Sequence, residues 1–415
     1  MAPRRVDFLL VGGGLASANC ARWLRESGCD GTILLVGREP DAPYNRPNCS
    51  KGYLRGVETR ADPLFRPDGW WDEQEVELLT KTSVTALDVQ ALTATLSTRE
   101  EIQFGRALIA TGANVRRLNV PGAELEQLHY LRTLGNADAI REGVADAEDV
   151  VLIGGSFIAC EVAASLTAMG KRCTLVMQES VTLEARIGER AGSFIQDLLE
   201  SHGVTVCGDD GLERFEGDGR VARVVTTRGR ELPAQAVVIG AGVAPDVTLA
   251  RRAGLQIGDR GGVRCDSRLE SSVPGIYAAG DICEYESVLH DGRRVRLEHW
   301  DVAFNQGRAV AANMLGADEP YSTVPYFFSV LAEWGEVESV GPVSEWDEEV
   351  VRGSYDDGSF TTWFIKDGKL NAALTWGRSD DLDHARRMIE NPEPLSDAQR
   401  AVLRDVDADL GRIGA

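Results

Sequence analysis

Several things are missing from this sequence, and each absence removes a class of function. Its eight cysteines (20, 29, 49, 160, 173, 207, 265 and 283) form no Cys-x-x-Cys and no Cys-x(4)-Cys pair. That spacing argues against a zinc site, a disulfide framework and a redox-active dithiol, and scattered thiols fit a reducing cytoplasm. No apolar stretch reaches the roughly 20 residues that a membrane-spanning helix needs. Positive charge is also short: 44 Lys and Arg stand against 65 Asp and Glu, for a net charge of −21. With no basic excess to neutralise phosphates, nucleic acid is not the expected partner. Basic clusters such as Arg293-Arg294-Val295-Arg296 and Arg386-Arg387 are local exceptions.

What is present is organised around Phe8-Leu9-Leu10-Val11-Gly12-Gly13-Gly14-Leu15-Ala16-Ser17, an apolar run that breaks into glycines and leads into a helical pattern. A buried parallel strand, a tight turn and a helix read this way. Gly12 can make the turn, Gly14 lets backbone N–H groups approach a pyrophosphate, and the helix offers that anion its positive end. The next strand, Thr32–Val36, ends in Gly37-Arg38-Glu39, and a carboxylate there can accept both hydroxyls of an adenosine ribose. Arg4 and Arg5 ahead of the apolar run superficially resemble a signal peptide, but Asp7 and three glycines interrupt it, so it is read as mature structure.

The unit recurs. Val150–Ile153, Gly154-Gly155-Ser156 and Phe157-Ile158-Ala159-Cys160 repeat the opening stretch, and Thr174 to Glu179 repeats Leu34 to Glu39. Two copies imply two dinucleotide sites in a chain whose 415 residues allow two or three domains.

Between the turns, Asp41 to Lys51 is a proline-punctuated loop leading to a short helix, which places Arg46 and Lys51 beyond the second strand, on the ligand side of such a sheet. Residues 76–79, 83–87 and 94–96 alternate as a small antiparallel meander, and Ala107 to Ile109 ends in Ala110-Thr111-Gly112. A helix is expected over 136–146, a hairpin around 216–219, and strands ending in Gly240-Ala241-Gly242 and Ala279-Gly280-Asp281. From about Ser322 the pattern becomes antiparallel, with a hairpin at 361–376 turning on Asp367-Gly368, a helix at 381–390, and a tail from Leu395 to Ala415 that reads as one polar helix.

Together these stretches resemble the FAD-dependent pyridine nucleotide–disulfide oxidoreductase superfamily, in its ferredoxin reductase and apoptosis-inducing-factor-like branch. The likeness spans nearly the whole chain: Val11–Ser17, Pro43-Tyr44-x-Arg46-Pro47-x-x-Ser50-Lys51, Ala110-Thr111-Gly112, Gly154–Glu161, Ala279-Gly280-Asp281, Glu298-His299-Trp300 and Pro325-Tyr326-Phe327-Phe328-Ser329. It implies an α/β fold with two Rossmann-like domains, an FAD domain at 1–117 and 246–321 and an NAD(P) domain at 118–245. A C-terminal α+β domain with an antiparallel sheet follows at 322–415, covering the flavin.

For FAD the resemblance implies Gly12, Gly14, Leu15, Ala16, Ser17, Glu39, Arg46, Lys51, Val84, Ala110, Thr111, Gly112, Gly280 and Asp281, the last on the ribityl chain. For the nicotinamide dinucleotide it implies Gly154, Ser156, Phe157, Ile158, Glu161, Glu179, Gly240 and Gly242. Phe157 gates the pocket, Glu298, His299, Trp300 and Phe328 line the flavin face, and Lys51 pairs with Glu161 beside the ring. Such a pair makes chemical sense in itself, since a lysine near flavin N5 stabilises charge developing on the reduced ring.

Departures from the pattern matter. Ser156 and Ala159 replace glycines, and Met177 stands where the branch often has its ribose-binding acid, leaving Glu179 for that role. Phe328 replaces a tryptophan and Val330 an acid. No arginine follows the strand to take a 2′-phosphate, which favours NADH over NADPH.

The activity implied is hydride transfer from NAD(P)H to FAD, then single electrons to a small iron–sulfur protein of ferredoxin or rubredoxin type, by a monomer or homodimer with no metal of its own. Two other readings stay open. Cys49 could act as a single redox thiol in an oxidase or disulfide reductase. Alternatively, the chain could be a redox-sensing flavoprotein that changes its oligomeric state on reduction.

Overall fold

The computed structural model describes residues 4–413 apart from Asp291 and Ser344. The chain divides into two compact units, one of Met1–Asn45, Arg60–Asn114 and Val243–Thr323, the other of Arg46–Thr59, Val115–Gly242 and Val324–Ala415.

In the first unit the opening apolar run becomes the strand Arg4–Val11, with Leu9 and Leu10 fully buried. It lies between Ile33–Val36 and Glu101–Ile109, parallel to both, and Ile276–Ala278 adds a further parallel strand beside Glu101–Ile109. The register sets Val11 opposite Val36 and Ile109, and Ala278 opposite Ile109. The carboxyl ends of four strands therefore finish together, and the turns that leave them share one edge of the sheet, where ligands of open α/β folds bind.

Helix Leu15–Glu26 packs on helix Trp300–Met314 so closely that a Cβ on Gly307 would stand 2.3 Å from Ala16 O. One expectation is corrected here. Val76–Leu79 pairs in parallel with Ile33–Val36 and extends the main sheet, whereas the antiparallel meander is Val84–Asp88, Thr93–Leu96 and Glu101–Ile109. The alternation in residues 76–79 marks a half-buried edge strand, which either end of this one seven-stranded sheet could have used.

The second unit repeats the design. Five parallel strands run in the order Thr205–Cys207, Arg172–Val176, Asp149–Ile153, Ala236–Ile239, Leu128–Tyr130. Ile153 stands opposite Val176 and Ile239, so Gly154, Met177 and Gly240 leave from one edge. The helix expected over 136–146 runs Leu134–Gly143, started two residues early by a capping box between Thr133 and Asn136.

A five-stranded antiparallel sheet follows, in the order Tyr326–Leu331, Gly335–Val340, Lys369–Trp376, Ser359–Lys366, Glu348–Ser354, with helix Asp381–Glu390 after it. The tail departs from the single helix expected. It is helical only over Asp397–Arg404, with a short turn of helix at Leu410–Arg412. The buried Arg352 guanidinium donates to the carbonyls of Val402, Asp405, Val406 and Ala408, satisfying backbone that a continuous helix would have paired internally.

Candidate active site

The glycine edge of the first unit is built by close backbone crossings. Gly12 has φ +120°, and a Cβ there would lie 2.1 Å from Ala110 O. Gly37 and Gly13 meet so that a Cβ on Gly37 would come 2.9 Å from Gly13 Cα. A Cβ on Gly14, by contrast, would meet nothing within 4 Å.

Gly14 is also the N-cap of helix Leu15–Glu26, which has no side-chain cap and no acid in its first turn. Its leading N–H groups and positive dipole end are thus left for an anion. Of the buried polar atoms that lack a protein partner among the described residues, two belong to this edge: the Ser17 hydroxyl in this first turn, and the Gln306 amide nitrogen. Gln306 Oε1 accepts from Gly280 N at 2.8 Å, which fixes its orientation and ties it to the Gly280-Asp281 turn. Orphaned donors beside an uncapped helix end fit a dinucleotide such as FAD.

Gln306 was missed in the sequence, where a glutamine inside a helical run reads as a solvent-facing residue. Glu39, just past Val36, accepts from Tyr44 Oη at 2.6 Å. Thr111 Oγ1 bonds Asp246 O at 2.6 Å, and Gly112 takes φ +72°. Val84 opens its strand two residues after Thr82, whose N–H bonds Gly37 O at 2.9 Å. Asp281 is half-buried, and its carbonyl accepts from Arg296, which also pairs with Glu298. His299 caps helix Trp300–Met314, and the Trp300 indole donates to Asn45 Oδ1 at 2.8 Å while stacking on Phe304.

The second glycine edge is put together differently. Gly154 has φ +108°, with a Cβ position 2.7 Å from Gly240 O. Ser156 is the N-cap of helix Phe157–Ala168, and its hydroxyl accepts from Ala159 N at 3.3 Å. Ala159 packs where a Cβ on Gly240 would be, 3.2 Å away, so the close approach lost with the third glycine is supplied by the neighbouring strand. Gly242 takes φ +84° over open space. A Cβ on Gly155 would meet Met177 Sδ at 2.9 Å and Glu179 Oε2 at 3.2 Å. Met177 is buried beneath the turn, and the carboxylate that reaches the turn belongs to Glu179. Ile158 is exposed, while Phe157 packs on Phe327 at 4.4 Å between ring centroids.

Within this second unit the sequence-predicted pair is made: Lys51 Nζ lies 2.7 Å from Glu161 Oε2. Their side chains are 16% and 4% exposed, so water screens the pair poorly. Ser50 Oγ donates to Glu161 Oε2 and Ser329 Oγ to Glu161 Oε1 at 2.6 Å, both missed in the sequence because the partners are far apart in the chain. Lys51 Nζ stands 5.8 Å from the centroid of the Phe328 ring. Arg46 donates to Arg132 O. Burial, with Glu161 and Glu179 nearby, pushes the Cys160 thiol far above its ordinary value, and Cys49 is 2% exposed. Among the described residues all eight cysteines are free, no acid–His–Cys cluster could hold a metal, and no helix is long and apolar enough to cross a membrane.

Residues 6–307 match the pyridine nucleotide-disulphide oxidoreductase family and residues 335–413 the reductase C-terminal family. Over 412 residues the chain is 32% identical to the 5,5'-dehydrodivanillate O-demethylase ferredoxin reductase subunit of a Sphingobium species, covering 99% of this chain and 98% of that protein. It is also 32% identical, over 402 residues and 96% of each chain, to the ferredoxin–NAD(+) reductase subunit of the benzene 1,2-dioxygenase system of Pseudomonas putida. Among solved structures, the covalent putidaredoxin reductase–putidaredoxin complex matches with a TM-score of 0.92 at 30% identity, covering 98% of each chain.

Proposed function

The chain belongs to the pyridine nucleotide-disulphide oxidoreductase family, and from that premise we propose that it is the reductase of an electron-transfer chain, carrying electrons from NADH through FAD to a small ferredoxin- or rubredoxin-type protein in the cytoplasm. The observation that carries this reading is the pair of glycine edges, each closing a parallel sheet. One has an uncapped helix and orphaned donors, the other a carboxylate, that of Glu179, standing against its turn.

FAD, when bound, supplies the redox chemistry, taking a hydride and giving up electrons singly. The residues supply everything else. Gly12, Gly14, Ser17 and the helix end hold its pyrophosphate, Glu39 its ribose, and Gln306 with the Gly280-Asp281 turn the chain leading to the ring. Lys51, oriented by Glu161, provides a fixed positive charge where negative charge develops on reduction. Gly154, Phe157 and Glu179 receive the nicotinamide dinucleotide. Glu179 is the basis for preferring NADH, because its carboxylate hydrogen-bonds a free ribose and repels a 2′-phosphate. The domain division proposed with it is FAD on 1–117 and 246–321, the nicotinamide dinucleotide on 118–245, and a C-terminal domain at 322–415, with residues 46–59 grouping by their contacts with the second compact unit.

The test is anaerobic stopped-flow mixing of the FAD-loaded protein with NADH and NADPH in turn, followed by transfer to ferredoxins and rubredoxins. Fast bleaching by NADH and onward transfer to an iron–sulfur protein is the expected result. Slow bleaching by both nucleotides, with a long-lived charge-transfer band and a change in oligomeric size, would replace this reading with a redox-sensing one.

A further inference from the structure

The motif Pro325-Tyr326-Phe327-Phe328-Ser329 brings in a residue to which the flavin reading assigns no work. Glu161 is a buried carboxylate that accepts from three groups on two other chain segments. Lys51 Nζ at 2.7 Å and Ser50 Oγ at 2.5 Å share Oε2, while Ser329 Oγ at 2.6 Å has Oε1. Ser329 is 1% exposed, although its strand neighbours Phe328 and Val330 are only half-buried. The Ser50 side is itself braced, since Ser165 Oγ donates to Ser50 O at 2.6 Å.

A carboxylate offers two nearly equivalent oxygens, and a single ammonium can sit on either or bridge both. Inside a poorly solvated site an empty oxygen attracts the nearest cation, so with Oε1 vacant the lysine would be drawn across the carboxylate. With Oε1 filled by a neutral hydroxyl, only Oε2 is left for the ammonium.

Resting on the reading that Lys51 provides the charge beside the flavin, we propose that Ser329 is a positioning residue. By occupying Oε1 of Glu161 it confines the ion pair to Oε2 and fixes where the Lys51 charge stands. A contribution from the C-terminal sheet thereby reaches the redox centre through Glu161, without Ser329 touching the flavin.

The test uses the FAD-loaded, oxidised protein without nucleotide, labelled with 13C-lysine. The chain has only five lysines, so the Lys51 side-chain resonance can be identified by its loss in Lys51→Arg. Ser329→Ala is expected to move that resonance and to make the flavin midpoint potential, measured by photoreduction, more negative. Ser329→Thr, which keeps the hydroxyl, should return both toward the parent values. In a Glu161→Gln background, Ser329→Ala should add nothing further. An unmoved Lys51 resonance in Ser329→Ala, or an equal movement in the Glu161→Gln background, overturns the proposal. A moved resonance with an unchanged potential supports the positioning role and overturns the flavin role of Lys51 on which it rests. Should Ser329→Ala lose its flavin or its fold, Ser329→Cys, similar in size but a weak donor, provides the same comparison.

Discussion

One chain contains the strand–glycine–helix design twice, and the two copies end their helices in opposite ways. The first helix begins at Gly14 with no side-chain cap and a buried, unpartnered Ser17 hydroxyl one turn in. The second begins at Ser156, whose hydroxyl satisfies Ala159 N. A helix that caps itself stands without a ligand, and one that does not gains most from an anion that stays. The difference separates the two proposed dinucleotides. On the proposed reading the first copy is completed by a resident cofactor that becomes part of the fold, while the second must persist empty each time its substrate leaves.

The largest effects should come from closing each turn in its turn. Gly12→Ala places a Cβ 2.1 Å from Ala110 O at φ +120°, a backbone clash plus strain worth roughly 3 kcal/mol or more. It should yield protein that melts early and is purified without flavin. Gly154→Ala is less severe, with 2.7 Å to Gly240 O, about 2 kcal/mol, and should keep its flavin while losing NADH affinity by tenfold or more. Flavin absorbance of the purified proteins and NADH titration of the reduction rate check both. A Gly12→Ala protein with full flavin would break the contrast between the copies.

Next in size is the acid proposed to separate the two nicotinamide dinucleotides. Glu179→Ala should lower the ratio of kcat/KM for NADH over NADPH by about tenfold, roughly 1.4 kcal/mol, with flavin content unchanged. Met177→Ala should leave that ratio alone, since Met177 is buried under the turn. The reverse outcome would return the ribose site to position 177. Smaller again is Ser156→Ala, which removes an N-cap and should cost about 1 kcal/mol in the unfolding of flavin-free and flavin-loaded protein alike.

How far the sequence reveals this design depends on how local each feature is. The strand–glycine–helix copies are legible because buried parallel strands are continuous apolar runs and their turns need glycine, as the positive φ of Gly12 and Gly154 bears out. The hairpin at 361–376 is equally legible, because Asp367 and Gly368 both adopt positive φ, a demand that Asp-Gly meets. Features settled by distant partners are not. Val76–Leu79 alternates like a meander strand, and only its parallel partner Ile33–Val36 assigns it to the parallel end of the sheet. The tail breaks where Arg352, 50 residues and more away in sequence, collects its carbonyls. Gln306 looks solvent-facing until Gly307 lets its helix close onto Ala16 and buries it. The Lys51–Glu161 pair came from family likeness, but the hydroxyl of Ser329, 168 residues from Glu161, has no local signature.

The finest test of the comparison is therefore Ser17→Ala, set beside Ser156→Ala. Both delete one buried or half-buried hydroxyl near a helix start, so side-chain volume cancels between them, and only Ser17, inside its helix, gains the better helix propensity of alanine. They differ in what the hydroxyl does in the empty protein. Ser156 bonds backbone, whereas Ser17 bonds nothing among the described residues and carries the desolvation cost of an unpaired group. Removing the Ser17 hydroxyl should leave flavin-free protein within about 0.5 kcal/mol of the parent, or slightly more stable, because an unsatisfied buried hydroxyl is exchanged for a methyl. The cost should appear only with FAD present, as a severalfold weaker flavin affinity measured by reconstitution of the apoprotein. If Ser17→Ala instead destabilised the apoprotein as much as Ser156→Ala does, both helix ends would be capped from within, and the first copy would have no stronger claim to a resident cofactor than the second.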